Sequence, residues 1–146
     1  MIQDSVRLTY RVQRGVGPVS EGHALISSKH FSPRYDLDRN AGTFSRPGHP
    51  LEGESLAGKI LFFPGVQGGV AGGWTFLELC SRGRGPAALV FCKTNPVMVQ
   101  GAIMAGIPIL DGLDPEALTE ISQGAFARVD PANLCVEIQR ETTGRK

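Results

Sequence analysis

The sequence predicts an α/β domain: a mainly parallel sheet covered by helices, with an antiparallel N-terminal β part added to it. Two observations carry this expectation. Beyond residue 59, continuous apolar runs of strand length recur, at Ile60-Leu61-Phe62-Phe63, Ala87-Ala88-Leu89-Val90-Phe91 and Ile107-Pro108-Ile109-Leu110, with segments of helical character between them. Repeated β-α units of this length imply parallel strands, because a parallel pair needs a long crossover connection. Before residue 60 the chain is instead turn-rich, and its first apolar segment alternates.

Taken in order, residues 6–12 alternate apolar and polar side chains, the period of a strand with one wet face, until Gly15, Gly17 and Pro18 break it. Residues 23–27 offer a second strand. A long polar connection then runs through Ser32-Pro33, Asn40-Ala41-Gly42 and Arg46-Pro47-Gly48-His49-Pro50. A connection this long without regular structure is usually functional or poorly ordered. Residues 60–63 are apolar throughout, as in a strand buried on both faces. After a glycine-rich loop, Trp74, Leu77 and Cys80 at helical spacing predict a helix over 74–81, with Gly83 where it would stop. Residues 87–91 form the next strand. Asn95-Pro96 supplies a cap and a first-turn proline for a helix over 97–105, ended by Gly106. A strand over 107–110, a helix over 114–121 and strands over 125–129 and 134–138 complete the chain. Its 146 residues make one domain, 1–146, with a polar tail from 139 to 146.

Composition excludes several classes of function. Fifteen basic and fourteen acidic side chains leave a formal net charge of +1, which provides no strong field for nucleic acid or an anionic membrane. No apolar run approaches the about 20 residues of a membrane span. The N-terminus lacks the basic start and apolar stretch of a secretory signal, so the expected location is cytoplasmic. Cys80, Cys92 and Cys135 have no Cys-x-x-Cys spacing and read as core residues. His23, His30 and His49 form no His-x-x-x-His pair, so no metal site built by this chain alone is expected.

Glycine is the compositional anomaly: 19 of 146 residues, well above the usual share of about 7%. Five of these glycines, Gly65, Gly68, Gly69, Gly72 and Gly73, fall in nine residues between a buried strand and a helix start. Such a loop lets backbone N–H groups point at an anion, and the helix dipole adds about half a positive charge there. It equally permits a tight turn and close packing of strand on helix, and spacing alone leaves both readings open. The nucleotide motifs fail, since a phosphate-binding loop needs Gly-Lys-Ser/Thr where this chain has Gly73-Trp74-Thr75, and Gly-x-Gly-x-x-Gly is unmatched. The loop carries no proton-transfer group, Gln67 and Thr75 being weak candidates without an adjacent base. The preceding connection holds Lys29, His30, Asp36, Asp38, Arg39, His49 and Glu54, each of which, taken singly, reads as a solvated surface residue.

Several stretches together resemble the small, swivelling domain of the aconitase X family. They are Gly22-His23-Ala24-Leu25-Ile26-Ser27, Ala41-Gly42-Thr43-Phe44, the block from His49 through Glu54 and Lys59 to Pro64, the glycine loop, Gly85-Pro86-Ala87-Ala88-Leu89-Val90, and Gly101 to Asp111. The likeness covers residues 20–138 in order. It implies a β/β/α swivelling domain acting as the small subunit of a hydro-lyase, or dehydratase, that is not active alone. Such a domain closes over a large subunit holding most of the active site and any iron or iron–sulfur centre, and this chain itself is expected to bind no cofactor. The family's members dehydrate small molecules, mevalonate 5-phosphate or cis-3-hydroxy-L-proline, with a base removing a carbon-bound proton and a Lewis acid helping the hydroxyl leave.

The resemblance implies a substrate-binding loop at Gly65, Gln67, Gly68, Gly69, Gly72 and Gly73, with His49 close to substrate. The family loop reads Gly-Arg-Gly-Ser-x-x-Gly-Ser, and its arginine falls on Gln67 and its two serines on Gly69 and Gly73. No catalytic residue therefore transfers to this chain. Loss of the arginine removes a bidentate partner for phosphate or carboxylate and weakens mevalonate 5-phosphate as the expected substrate. The alternative is a non-catalytic binding or assembly module that kept the fold and lost the loop serines.

Overall fold

The structure is a computed structural model, and it describes residues 5–67 and 70–141. The chain runs β1 (Ser5–Arg11), β2 (Arg14–Val16), β3 (Ser20–Ile26), α1 (Pro33–Asp36), β4 (Leu37–Asp38), β5 (Thr43–Phe44), β6 (Ile60–Phe63), α2 (Val70–Ser81), β7 (Ala88–Phe91), α3 (Pro96–Ala105), β8 (Ile109–Asp111), α4 (Ala117–Glu120), β9 (Phe126–Asp130) and β10 (Cys135–Glu141). Strand order is β1-β10-β9-β3-β6-β7-β8-β2, with parallel pairing from β3 through β6 and β7 to β8 and antiparallel pairing elsewhere.

β3 belongs to both halves of this arrangement. Its first four residues, Ser20 to His23, pair antiparallel with β9, and Ala24 to Ile26 pair parallel with β6. The chain crosses from one sheet to the other within a single strand. Gly22 lies at that crossing, where an added Cβ would meet the Gly58 carbonyl oxygen at a separation that real Cβ atoms essentially never show. The antiparallel part draws on both ends of the chain, since β1 pairs with β10 along its length from Ser5↔Glu141 to Arg11↔Cys135. The strand therefore runs through 139–141, where a polar tail was expected, and residues 142–146 lie outside those described.

Alternation along the parallel strands divides the core into two. Leu25, Leu61, Phe63, Leu89, Phe91 and Ile109 face α2 and α3, whose Phe76, Leu79, Met98 and Ala102 pack on them. Ala24, Ile60, Phe62, Ala88, Val90 and Leu110 face the antiparallel strands, meeting Ala127, Val129, Val136 and Ile138 together with Ala117 and Ile121 around α4. The layers are helix, parallel sheet and antiparallel sheet, the β/β/α arrangement. Every residue of β6 is 0% exposed, so its apolar composition is the direct consequence of burial on both faces. Each such side chain contributes about 1.5–3 kcal/mol on removal from water.

The long connection from β3 to β6 is the largest departure from expectation. It is folded rather than structureless: Phe31, Leu37, Phe44, Leu51 and Leu56 are buried and join the same core as α2 and α3. A four-residue helix, the two-stranded β4-β5 pairing Leu37↔Phe44 and Asp38↔Thr43, and the bridge Thr43↔Ser55 shape it. The segment occupies the place that a crossover helix takes in the later β-α units. These apolar residues stand singly, five to seven positions apart, with too few between them to mark a strand or a helix, so periodicity could not reveal them.

Candidate functional site

Parallel strands β3 and β6 end side by side, and ligand clefts in α/β folds gather at such carboxyl ends. The chain continues from both strands in register. Phe31 N donates to Gly65 O at 2.8 Å and Gln67 N donates to Phe31 O at 2.7 Å. Ser27, 0% exposed, accepts from Lys29 N and donates to Lys29 O, both at 2.9 Å, and this turn leaves Lys29 and His30 exposed. Phe31 turns inward and stacks on Phe63 with ring centroids 4.3 Å apart. The His30 ring lies against Gly65, where a Cβ would come 2.9 Å from its Cε1 atom. Glycine at 65 thus lets an imidazole approach the main chain.

The remaining wall comes from α1 and the Arg46-Pro47-Gly48 turn. Pro33 opens α1, which carries Asp36 inward to 1% exposure. One carboxylate oxygen, Oδ2, accepts from Ser32 N at 2.8 Å and lies 3.6 Å from His49 Nε2. The other, Oδ1, lies 3.3 Å from Arg46 Nη1. His49 stacks on Phe44 with centroids 5.1 Å apart, and its Nδ1 accepts from Leu51 N at 3.0 Å. That bond leaves the neutral imidazole's proton on Nε2, which has no hydrogen-bond partner of its own. Burial lowers the His49 pKa; the Asp36 charge opposes this, and Lys29 and Arg46 reinforce it. His49 is accordingly neutral at pH 7, with an N–H rather than a lone pair directed at Asp36.

Lys29, His30, Asp36, Arg46, His49 and Gln67 line one cavity of about 520 Å³. Of the residues expected from sequence, the structure brings His49, Gln67 and Gly65 together here. Gly68 and Gly69 lie outside the described residues. Gly72 and Gly73 are not loop residues, because α2 begins at Val70 and takes both into its first turns. Two glycines disfavour a helix by about 1 kcal/mol each relative to alanine, but Phe76 and Leu79 anchor this one in the core. Asp36 and His49 are buried rather than solvated. Asp38 uses its Oδ1 to accept from Asn40 N and Ala41 N in a turn, and neither Arg39 nor Glu54 lines the cavity. Arg46 was missed because Arg-Pro-Gly reads as turn chemistry alone.

Elsewhere, Cys135 is buried and Cys80 and Cys92 are half-buried, all as free thiols whose pKa burial raises. Among the described residues, no three of His, Cys, Asp and Glu are grouped so as to hold a metal ion. No described helix is long and apolar enough to cross a membrane.

Comparison with known proteins places this geometry. The family model of the aconitase X swivel domain matches residues 9–138. The chain belongs to the aconitase X swivel-domain family. It is 33% identical over 129 residues to the phosphomevalonate dehydratase small subunit of Pyrococcus horikoshii, covering 88% of this chain and 94% of that one. The corresponding subunit of Methanothrix thermoacetophila is 34% identical over 120 residues, covering 82% of this chain and 87% of the relative. A crystal structure of Thermococcus kodakaraensis aconitase X in its holo form superposes with a TM-score of 0.82 at 30% identity, covering 90% of this chain and 98% of that one. In this swivel domain the cavity is thus built from the connection between β3 and β6 and from the start of the glycine segment.

Proposed function

We propose that this swivel domain is the small subunit of a hydro-lyase that dehydrates a phosphorylated hydroxy acid of the mevalonate phosphate type, closing over a large subunit that completes the active site. The observation that carries this reading is the cavity beside Gly65 and Gln67, where Lys29 and Arg46 bring two cationic side chains to the glycine segment. Gln67 stands where the family pattern has arginine, which argued against a phosphorylated substrate. Arg46 and Lys29 supply positive charge to the same cavity from other elements, and so restore that substrate class. The names of the relatives in Pyrococcus and Methanothrix point the same way.

A partner surface is consistent with the covering helices, which expose Trp74 and Leu77 on α2 and Ile103 and Met104 on α3, all but Leu77 by more than half. Any iron or iron–sulfur centre is assigned to the large subunit, where it would act as the Lewis acid for the departing hydroxyl. The three free cysteines of this chain do not gather with other ligands among the described residues. The cytoplasm is the corresponding location.

Co-expression with a large aconitase X-type subunit from the same genome tests the proposal. The expected result is a co-purifying complex that dehydrates mevalonate 5-phosphate and leaves cis-3-hydroxy-L-proline unchanged. A chain that purifies without its partner, or a complex inert on mevalonate 5-phosphate, overturns it. The second reading, a module that kept the fold without the chemistry, rests on Gly69 and Gly73 at the serine positions. Under that reading, Gly69→Ser with Gly73→Ser raises activity from none, whereas activity already present without the serines refutes it.

A further inference from the structure

We propose that Arg46, anchored on the buried carboxylate of Asp36, is the phosphate-recognising side chain of this cavity, and that Lys29 completes the clamp around a phosphomonoester. The inference deepens the proposed function, on which its choice of substrate group rests. Its geometric basis is independent of any partner.

Asp36 is 1% exposed, and a buried carboxylate must be held by donors. Its Oδ2 is satisfied by Ser32 N at 2.8 Å, leaving Oδ1 for Arg46 Nη1 at 3.3 Å. This single contact fixes one corner of the guanidinium and leaves the arginine side chain 54% exposed at the cavity. The guanidinium is a planar fork of five N–H donors suited to bidentate contact with phosphate, and among the described residues only Nη1 is engaged by the protein.

Lys29 lines the same cavity, held at its backbone by the buried Ser27 hydroxyl. His49 adds no charge, because its Nδ1 is committed to Leu51 N and its imidazole stays neutral. The one negative charge of Asp36 therefore balances only one of the two cations. The remaining positive charge lies in a concave site, where the field is focused on an incoming anion. The buried His49 Nε2 lies 3.6 Å from Asp36 Oδ2, beyond hydrogen-bond distance, so the carboxylate that anchors Arg46 is held by Ser32 N.

The test uses the full chain and inorganic phosphate, with amide chemical shifts followed by NMR at constant ionic strength. Saturable shifts are expected at Lys29, His30, Arg46 to His49 and Gly65 to Gln67. Arg46→Gln should weaken the apparent affinity at least fivefold, Lys29→Gln should weaken it to a lesser degree, and Arg46→Lys should restore part of the loss. Acetate should bind at least tenfold more weakly than phosphate, which separates a phosphate clamp from a general carboxylate site. Shifts that map elsewhere, an Arg46→Gln chain with unaltered affinity, or equal affinity for acetate would each overturn the inference. Because Arg46 is half exposed, its variants should fold, and unchanged circular dichroism verifies this. The same variants in complex with the large subunit keep the two proposals apart. Dehydration of mevalonate 5-phosphate with an unaltered KM in Arg46→Gln refutes the clamp and leaves the function standing, whereas phosphate binding by a complex that performs no dehydration does the reverse.

Discussion

Replacement of Asp36 separates its two structural duties. In Asp36→Asn, the amide oxygen can take the Oδ2 position and keep accepting from Ser32 N, while the NH₂ group turns toward Arg46 in place of Oδ1. The loss is then one ion pair with a half-exposed arginine, worth about 0–1 kcal/mol, together with a buried NH₂ group that faces the Arg46 donor and has no acceptor there, at about 1–3 kcal/mol. In Asp36→Ala, Ser32 N loses its acceptor as well, in a residue only 6% exposed, and an unsatisfied buried donor costs about 1–3 kcal/mol. Urea denaturation followed by circular dichroism should therefore place each variant roughly 1–3 kcal/mol below the parent chain. Acid dependence supplies a second readout. The Asp36 charge raises the His49 pKa against the dominant effect of burial, so either substitution should push it further below its ordinary value. A histidine whose folded-state pKa lies below its unfolded value of about 6.5 contributes stability that is present above that pH and is lost as pH falls toward the folded pKa. In Asp36→Asn this loss should continue to lower pH than in the parent chain. Parent-like stability in either variant, or an asparagine variant with less acid-sensitive stability than the parent, would refute the assignment of Asp36 as the shared anchor of Ser32, Arg46 and His49.

Three other substitutions probe the elements that position the site. His49→Asn removes the buried imidazole, so the variant's urea midpoint should change less between pH 7 and pH 5 than that of the parent chain, whose neutral His49 opposes protonation. An undiminished pH dependence assigns that titration elsewhere. Gly22→Ala forces a methyl group against the Gly58 carbonyl at the crossing of β3 between sheets, and neither backbone can yield without disturbing the Ala24↔Ile60 pairing. Overpacking of this kind costs about 1–3 kcal/mol or more, and a melting temperature within a degree of the parent contradicts the crossing geometry. Asn95→Ala deletes the side-chain acceptor for Met98 N, 2.8 Å away at the start of α3, and should lower stability by about 1 kcal/mol in denaturant titration.

The regular part of the fold was legible in the sequence because its physical causes are local. Burial on both faces makes β6 and β7 uniformly apolar, and the strands expected at 60–63 and 87–91 appear at Ile60–Phe63 and Ala88–Phe91. The Asn95 cap and Gly106 in the left-handed conformation (φ 76°) delimit α3 as their chemistry requires. The helix expected over 114–121 shrinks to the single turn Ala117–Glu120, its opening residues forming a turn around Asp114 instead. β2 was not foreseen, since Arg14, Gly15 and Val16 lie amid breakers and pair only because β8 offers an edge. The site was half legible. His49 and Gln67 came from resemblance, but the convergence of Lys29, Asp36 and Arg46 depends on a folded connection whose buried Phe31, Leu37, Phe44 and Leu51 stand singly, six or seven residues apart, and so mark neither a strand nor a helix. Nothing in one-dimensional spacing marks Asp36 as buried while Asp38, two residues on, spends its carboxylate on a turn.

The chemistry of the cavity divides unevenly between recognition and proton transfer. Asp36 offers two oxygens, and both already face donors, Ser32 N and Arg46 Nη1. His49 has one lone pair, and Leu51 N occupies it, so its other nitrogen can only donate. Activating either residue as a base means breaking a hydrogen bond in a buried setting, which costs more than the same change in water. His30, exposed above Gly65, is the imidazole in this cavity left outside that network. Groups so committed make a rigid scaffold for Arg46 and Lys29 and a poor engine for removing a proton from carbon. Under the proposed function, such a domain would present charge in fixed positions to a substrate that the large subunit transforms.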